Sequence, residues 1–356
     1  MIRIGIDAMG GDFAPNNVIL GAIEAHSYID AETKIFLVGD EKKIAEVCRH
    51  YGFDSGNFVI IHASDVIAMG EHPVKAVRQK PNSSLNVGFK KLADNELDVF
   101  ASAGNTGAML TASLKHVNYL PEVIRPCISA QIPLADGRNM LMLDVGFNAD
   151  VRADILYQFA ILGSVYARTM MGIEDPKVAL LNIGAEPEKG NKVAKEAFKL
   201  MSASKDFTFV GNMEANQLFN GGIADVLVTD GFSGNICLKE AEGMYELVAK
   251  LGVNHPFLKR FNYENYGGTP VLGVTSPVVI GHGVSTPLAI KNMILECEKI
   301  VKNGLVQRLK DALKEDKPVV KEPIKVEVAA EEEAIVEKPV YSRKRNYKVN
   351  NEVEAE

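Results

Sequence analysis

The chain has no basic tract long enough to suggest nucleic acid, and its 356 residues carry a formal net charge of −7. Its four cysteines, Cys48, Cys127, Cys237 and Cys297, are far apart and form no C-x-x-C pair. That argues against a zinc ribbon and a disulfide framework, and predicts reduced thiols in a cytosolic protein. No apolar run approaches the roughly 18 residues that span a bilayer. The opening Met1-Ile2-Arg3-Ile4-Gly5-Ile6-Asp7 lacks the basic, apolar, small-residue order of a signal peptide. The cytoplasm is therefore the expected location. Seven histidines are scattered without an H-x-x-x-H or H-E-x-x-H pair, so no metal site is expected. The P-loop, the G-x-S-x-G nucleophile elbow and a G-x-G-x-x-G after the first strand are also missing.

What is present is an ordinary globular balance, 47% hydrophobic and 24% charged. Short runs that are apolar on consecutive positions predict buried strands. They are Ile2–Ile6, Lys34–Val38, Phe58–Ile61, Val99–Ala101, Leu141–Leu143, Val178–Asn182, Thr208–Val210, Val226–Val228 and Val278–Ile280. Amphipathic stretches fall between them, such as Asn17–Tyr28, Ser83–Asp94, Ala153–Met171, Lys192–Ser202 and Pro287–Lys302. This rhythm predicts a mostly parallel sheet between helical layers. The pattern covers residues 1–313. From Lys314 to Glu356 charged residues, Pro and Val alternate without a consistent apolar face, and this tail is expected to be disordered.

In such sheets ligands bind where strands end and helices begin, because free N–H groups and a partial positive charge collect there. Six strand ends carry loops suited to that task. They are Asp7-Ala8-Met9-Gly10-Gly11-Asp12, Ser102-Ala103-Gly104-Asn105-Thr106-Gly107, Asp144-Val145-Gly146-Phe147-Asn148, the run from Asn182 to Asn191 with Lys189 and Gly190, Thr229-Asp230-Gly231-Phe232-Ser233-Gly234-Asn235, and Gly281-His282-Gly283. Each alone also reads as a turn, with Asp12 as a helix cap or His282 as a structural histidine. Six together are expected to converge at the carboxyl edge of one sheet.

These loops resemble the phosphate acyltransferases of bacterial phospholipid synthesis. The resemblance rests on Ile4-Gly5-Ile6-Asp7-Ala8-Met9-Gly10-Gly11-Asp12 with Pro15, Ala103-Gly104-Asn105-Thr106-Gly107-Ala108, Leu181-Asn182-Ile183-Gly184 with Lys189-Gly190-Asn191, Asp230-Gly231-Phe232-Ser233-Gly234-Asn235, Tyr266-Gly267-Gly268 with Pro270, and His282-Gly283. It covers about residues 1–310. It implies a three-layer α/β/α fold like that of isopropylmalate dehydrogenases and phosphate acetyltransferases, a homodimer, and an acyl carrier protein as substrate. It implies inorganic phosphate as the acceptor, no cofactor, and a membrane glycerol-3-phosphate acyltransferase downstream. Two departures stand out. The stretch from about Lys239 to Tyr263 reads as short where the family carries a long amphipathic hairpin for dimer and membrane contact. Phe147 stands where alanine is usual before Asn148.

On that resemblance the catalytic candidates are Lys189 and Asn235, and the glycine-flanked strand end adds His282. The phosphate and substrate candidates are Asp7, Gly10, Gly11, Asp12, Gly104, Asn105, Thr106, Gly107, Asn148, Asp230 and Ser233. A thioester needs no covalent nucleophile; the protein must hold phosphate near the carbonyl carbon and stabilise the oxyanion. Lys189 is expected to bind phosphate, with help from backbone amides of Gly10, Gly11 and the Gly104–Gly107 loop. Asn235 is expected to donate to the carbonyl oxygen, and His282 to protonate the leaving thiolate. The rivals are an actin-like small-molecule kinase, which explains two of the six loops, a dehydrogenase on the same fold, and a catalytically silent acyl-phosphate or carrier-protein binding module. Bulk charge does not favour an acidic carrier, so docking needs a local basic patch.

Overall fold

The computed structural model describes residues 1–314. Eleven strands form one sheet: β1 (Ile2–Asp7), β2 (Thr33–Gly39), β3 (Val59–His62), β4 (Val99–Ser102), β5 (Cys127–Pro133), β6 (Asn139–Leu143), β7 (Lys177–Asn182), β8 (Thr208–Glu214), β9 (Val226–Val228), β10 (Gly268–Leu272) and β11 (Val278–Gly281). Eleven α-helices are α1 (Asn16–His26), α2 (Glu41–His50), α3 (Pro73–Gln79), α4 (Ser84–Ala93), α5 (Thr106–His116), α6 (Ala153–Met170), α7 (Lys192–Ser202), α8 (Gly231–Lys250), α9 (Pro256–Lys259), α10 (Pro287–Lys302) and α11 (Leu305–Lys314). The charged tail read from the sequence lies outside the described residues, apart from Lys314, which closes α11.

Strand period sets the layers. Met140 and Met142 face one core with Phe89, Phe100 and Met109, while Leu141 and Leu143 face the other with Phe159, Ile290 and Ile294. Helices α1, α2, α6, α7, α10 and α11 bury residues in the second core; α3, α4 and α5 do so in the first, against which α8 packs Leu238. The fold is therefore helices on both faces of one sheet, as expected from the consecutive apolar runs.

The strand order is β3-β2-β1-β4-β11-β10-β5-β6-β9-β7-β8. Seven of the ten neighbouring pairs are parallel; β10–β11, β10–β5 and β5–β6 are antiparallel. Three reversals between β11 and β6 mean that the two halves of the sheet run in opposite senses. The carboxyl ends of β1, β4 and β11 thus lie at one edge, and those of β6, β9 and β7 at the other. A single carboxyl edge for all six loops, the expectation from sequence, is not what the chain builds.

Two strands, β5 and β10, were not among those expected. Both break the pattern of a parallel sheet buried strand by strand. β5 alternates small and polar residues, Ser129 and Gln131, with apolar ones, and β10 carries Pro270.

Candidate functional site

At the first edge the loops are braced by their own polar groups. Asp7, nearly fully buried, accepts from Ser102 Oγ at 2.7 Å and from the Met9 amide at 3.1 Å. Burial pushes its carboxyl up from the usual range, and the hydrogen bonds oppose that. Ser102 Oγ in turn accepts from the Gly104 amide at 2.9 Å. A Cβ at Gly10 would collide with the Ser102 hydroxyl and the Asp7 carboxylate, so only glycine fits there. Gly11 has φ 115°, and the Asp12 amide donates to the Gly283 carbonyl at 2.8 Å, tying the β1 loop to the β11 loop. Asp12 caps no helix; Pro15 holds the N-cap position of α1.

Asn105 caps α5 through the Ala108 amide at 2.9 Å, and its Nδ2 donates to the Met69 and Glu71 carbonyls, both at 2.9 Å. It is a scaffold residue. Gly107 packs against Pro73. Thr106 opens the helix and is exposed.

At the second edge Asp144 is fully buried and organises the β6 loop. Its oxygens accept from the amides of Ile128 at 3.0 Å, Phe147 at 3.2 Å and Asn148 at 2.6 Å, and from Asn148 Nδ2 at 2.9 Å. Asn148 also donates to the Pro126 carbonyl at 2.8 Å. Asp230 caps α8 through the Ser233 amide at 2.7 Å, and Ser233 Oγ donates back to it at 3.1 Å. Gly146, at φ 139°, lies against the Asn235 side chain. The loop beneath α8 therefore positions Asn235.

Helix α8 joins the two edges. It starts beside the β6 and β9 loops and covers a cavity of about 470 Å³ lined by Asn235, Leu238, Lys239 and Glu242 from the helix, with Asp12, Thr106 and His282 from the other edge. The cavity thus brings together four sequence candidates: Asp12, Thr106, Asn235 and His282. Asp7, Gly10, Gly11, Gly104, Asn105, Gly107, Asn148, Asp230 and Ser233 stand outside its lining; most of them shape the loops behind it. Lys189 is exposed and does not line it. Its loop follows β7, next to β9, so it shares the second edge with the start of α8.

Sequence reasoning missed Lys239 and Glu242. Lys239 lies four residues after Asn235 on α8, the spacing that puts two side chains on one helical face about 5–6 Å apart at Cβ. That spacing was the available signal. Lys239 Nζ pairs with Glu242 at 2.6 Å. His282 is held below the usual histidine range, first by burial and then by the Lys239 charge, with Glu242 and Asp12 opposing. Its ring lies 5.1 Å from that of Tyr263. Among the described residues no cluster of histidine, cysteine or carboxylate side chains could hold a metal ion.

The α8 arm runs 20 residues, followed by a turn and the single helical turn of α9. Between α8 and β10 the chain forms no second long helix. Phe232, Ile236, Met244, Leu247 and Leu251 are each at least half exposed along α8. Among the described residues no helix is long and apolar enough to cross a membrane.

The family described as fatty acid synthesis protein matches residues 2–308. The chain is 38% identical to the phosphate acyltransferase of Dictyoglomus thermophilum, over 88% of this chain and 98% of that protein. It is 37% identical to the phosphate acyltransferase of Bacillus subtilis, over 89% of this chain and 99% of that protein. In fold it is similar to a phosphotransacetylase from Streptococcus pyogenes, with a TM-score of 0.61, 17% identity, and coverage of 85% of this chain and 94% of that one. A 4-hydroxythreonine-4-phosphate dehydrogenase from Klebsiella pneumoniae shares the fold at a TM-score of 0.51 and 11% identity, over 85% of this chain and 98% of that one.

Proposed function

The chain belongs to the fatty acid synthesis protein family, as a phosphate acyltransferase, and from that premise we propose how its cavity carries out the transfer. Inorganic phosphate attacks the thioester carbonyl of an acyl-acyl carrier protein. A C–O bond forms, the carbonyl becomes an oxyanion, and the C–S bond then breaks to give acyl phosphate and the carrier thiolate, which takes a proton from water. The kinase and silent-module readings have no support in the relatives, and the likeness to a dehydrogenase is one of fold alone.

The observation that carries this reading is the shared lining of Asn235 and Lys239 with the loops of the opposite edge. An asparagine amide does not titrate, so Asn235 donates to the developing oxyanion. Lys239, one turn further on the same face and paired with Glu242, balances the phosphate charge. The first turn of α5 at Thr106 offers the positive end of a helix to the same anion. Lys189 adds a cation from the neighbouring strand end of the second edge. Asp7, Asp144, Asn148, Asp230 and Ser233 act by holding these loops.

The exposed apolar stripe of α8 supports a homodimer in which a second copy covers it. An acyl phosphate is a reactive mixed anhydride, so an enzyme that moves its acyl group to an alcohol must consume it; a membrane glycerol-3-phosphate acyltransferase fits. The test is acyl-acyl carrier protein plus phosphate, with capture of acyl phosphate. Wild type should turn over. Asn235→Ala should lose at least about tenfold in kcat, less than the two to three orders seen for the best oxyanion donors. Near-normal turnover in that variant removes Asn235 from the chemistry.

A further inference from the structure

The cavity does not stop at the sheet. β5 and β10 are paired only at Val271–Ile128 and Leu272–Cys127. Beyond these rows β10 stays with β11 and β5 stays with β6. Gly268–Pro270 therefore faces the segment from Ser129 to Gln131 across an unzipped slot. Pro270 offers no N–H, which helps keep the two facing edges apart. Side chains from both core layers line the one cavity. Ile132 and Leu238 belong to the α8 side, and Leu141 and Tyr166 belong to the α6 side. The slot is a passage through the sheet.

Its walls are mainly apolar and its far end is polar. Tyr166, 1% exposed, donates to Glu296 Oε1 at 3.2 Å, and Gln131 Nε2 reaches the Tyr166 hydroxyl at 3.5 Å. Ser129, also 1% exposed and in the lining, has an Oγ without a hydrogen-bond partner among the described residues. Burial pushes the Glu296 carboxyl up from the usual range, and the tyrosine with it.

We propose that this slot takes the acyl chain of the thioester and that the Tyr166–Glu296 pair is its end wall, setting the longest chain accepted. The inference rests on the acyltransferase reading. Each methylene buried in the slot strengthens binding by roughly fourfold. A methyl group driven into the tyrosine–carboxyl pair separates a buried hydroxyl from a half-buried carboxyl and offers neither a partner. Affinity should therefore rise with chain length and then break. A cavity of about 470 Å³ lies in the range that encloses most of a small-molecule ligand.

The test uses the full chain and saturated acyl-acyl carrier proteins of increasing length, with kcat/KM read from acyl phosphate formation. Ala130→Leu narrows the slot and should shift the optimum to shorter chains by at least tenfold in relative kcat/KM, leaving the shortest substrate near wild type. Glu296→Ala removes the wall and should raise the relative rate for chains longer than the wild-type optimum. Melting curves identify any variant that fails to fold. In wild type, an acyl chain with a photoreactive terminal group should label the segment around Tyr166 or Glu296. Folded variants with the wild-type length profile overturn the proposal, and so does terminal labelling confined to the outer face of α8. A wild type that makes no acyl phosphate from any chain sinks the acyltransferase reading, and the slot with it.

Discussion

Replacing Asp144 by asparagine keeps the shape of the side chain and changes one oxygen into a donor. In the native loop one Asp144 oxygen accepts from the Ile128 and Phe147 amides, and the other accepts from two nitrogens of Asn148. Whichever way the new amide turns, its NH2 faces two N–H donors. Two hydrogen bonds are lost; turned toward Asn148, the NH2 leaves that residue's amide unpaired while its Nδ2 keeps the Pro126 carbonyl, and turned the other way it leaves the Ile128 and Phe147 amides unpaired. At about 1–3 kcal/mol for each unpaired donor and about 1 kcal/mol for a lost bond, the cost over the two orientations is about 2–6 kcal/mol. For a chain of this length, about 2 °C of Tm per kcal/mol gives a loss of about 4–12 °C. Function follows, because the same loop places Gly146 against Asn235, and the Asn148 carbonyl accepts from the Gly231 amide at 2.7 Å. Calorimetry gives the midpoint, and kcat is measured well below it. A Tm within about 1 °C of wild type would refute the four-donor account. A large loss of Tm with unchanged kcat would instead refute the claim that this loop orients Asn235.

Three further outcomes are expected. Lys239→Ala should raise the phosphate KM at least about tenfold, about 1.4 kcal/mol, with a smaller change in the acyl carrier protein KM; Lys189→Ala should raise it too, and an unchanged value in either variant removes that lysine from phosphate binding. Gly234→Ala should destabilise the protein by about 1–3 kcal/mol, because its Cβ meets the Asp144 carbonyl oxygen; a more stable variant, the usual result of this exchange within a helix, contradicts the close approach. For His282, a folded pKa below the ordinary value means that the unfolded chain binds the proton more readily. Its contribution to stability is full above about pH 6.5 and is lost as pH falls. The acid-side fall in Tm should be shallower in His282→Gln, and an equal slope would show that the ring is not perturbed.

Much of this protein was fixed by local chemistry. Consecutive apolar residues such as Val178–Asn182 and Val226–Val228 can be satisfied only in a strand covered on both faces, so the layered fold followed from them. The caps did not follow in this way: Asp12, the one cap expected, caps no helix, whereas Asn105 and Asp230 cap the backbone within three residues. The glycine-bearing loops and their likeness to phosphate acyltransferases were equally legible, because residue identity and order are properties of the chain itself. What the sequence could not hold is direction. β5 and β10, with their mixed polar and proline-bearing patterns, went unread, and they supply the three antiparallel pairings that turn half of the sheet around. That reversal sends the six loops to two edges, leaves Lys189 outside the cavity, and makes α8 the bridge that carries Asn235 and Lys239 across. Two of those pairings are hairpins between neighbouring strands, but the third joins Val271 to Ile128 from distant parts of the chain, and no window of neighbouring residues records it.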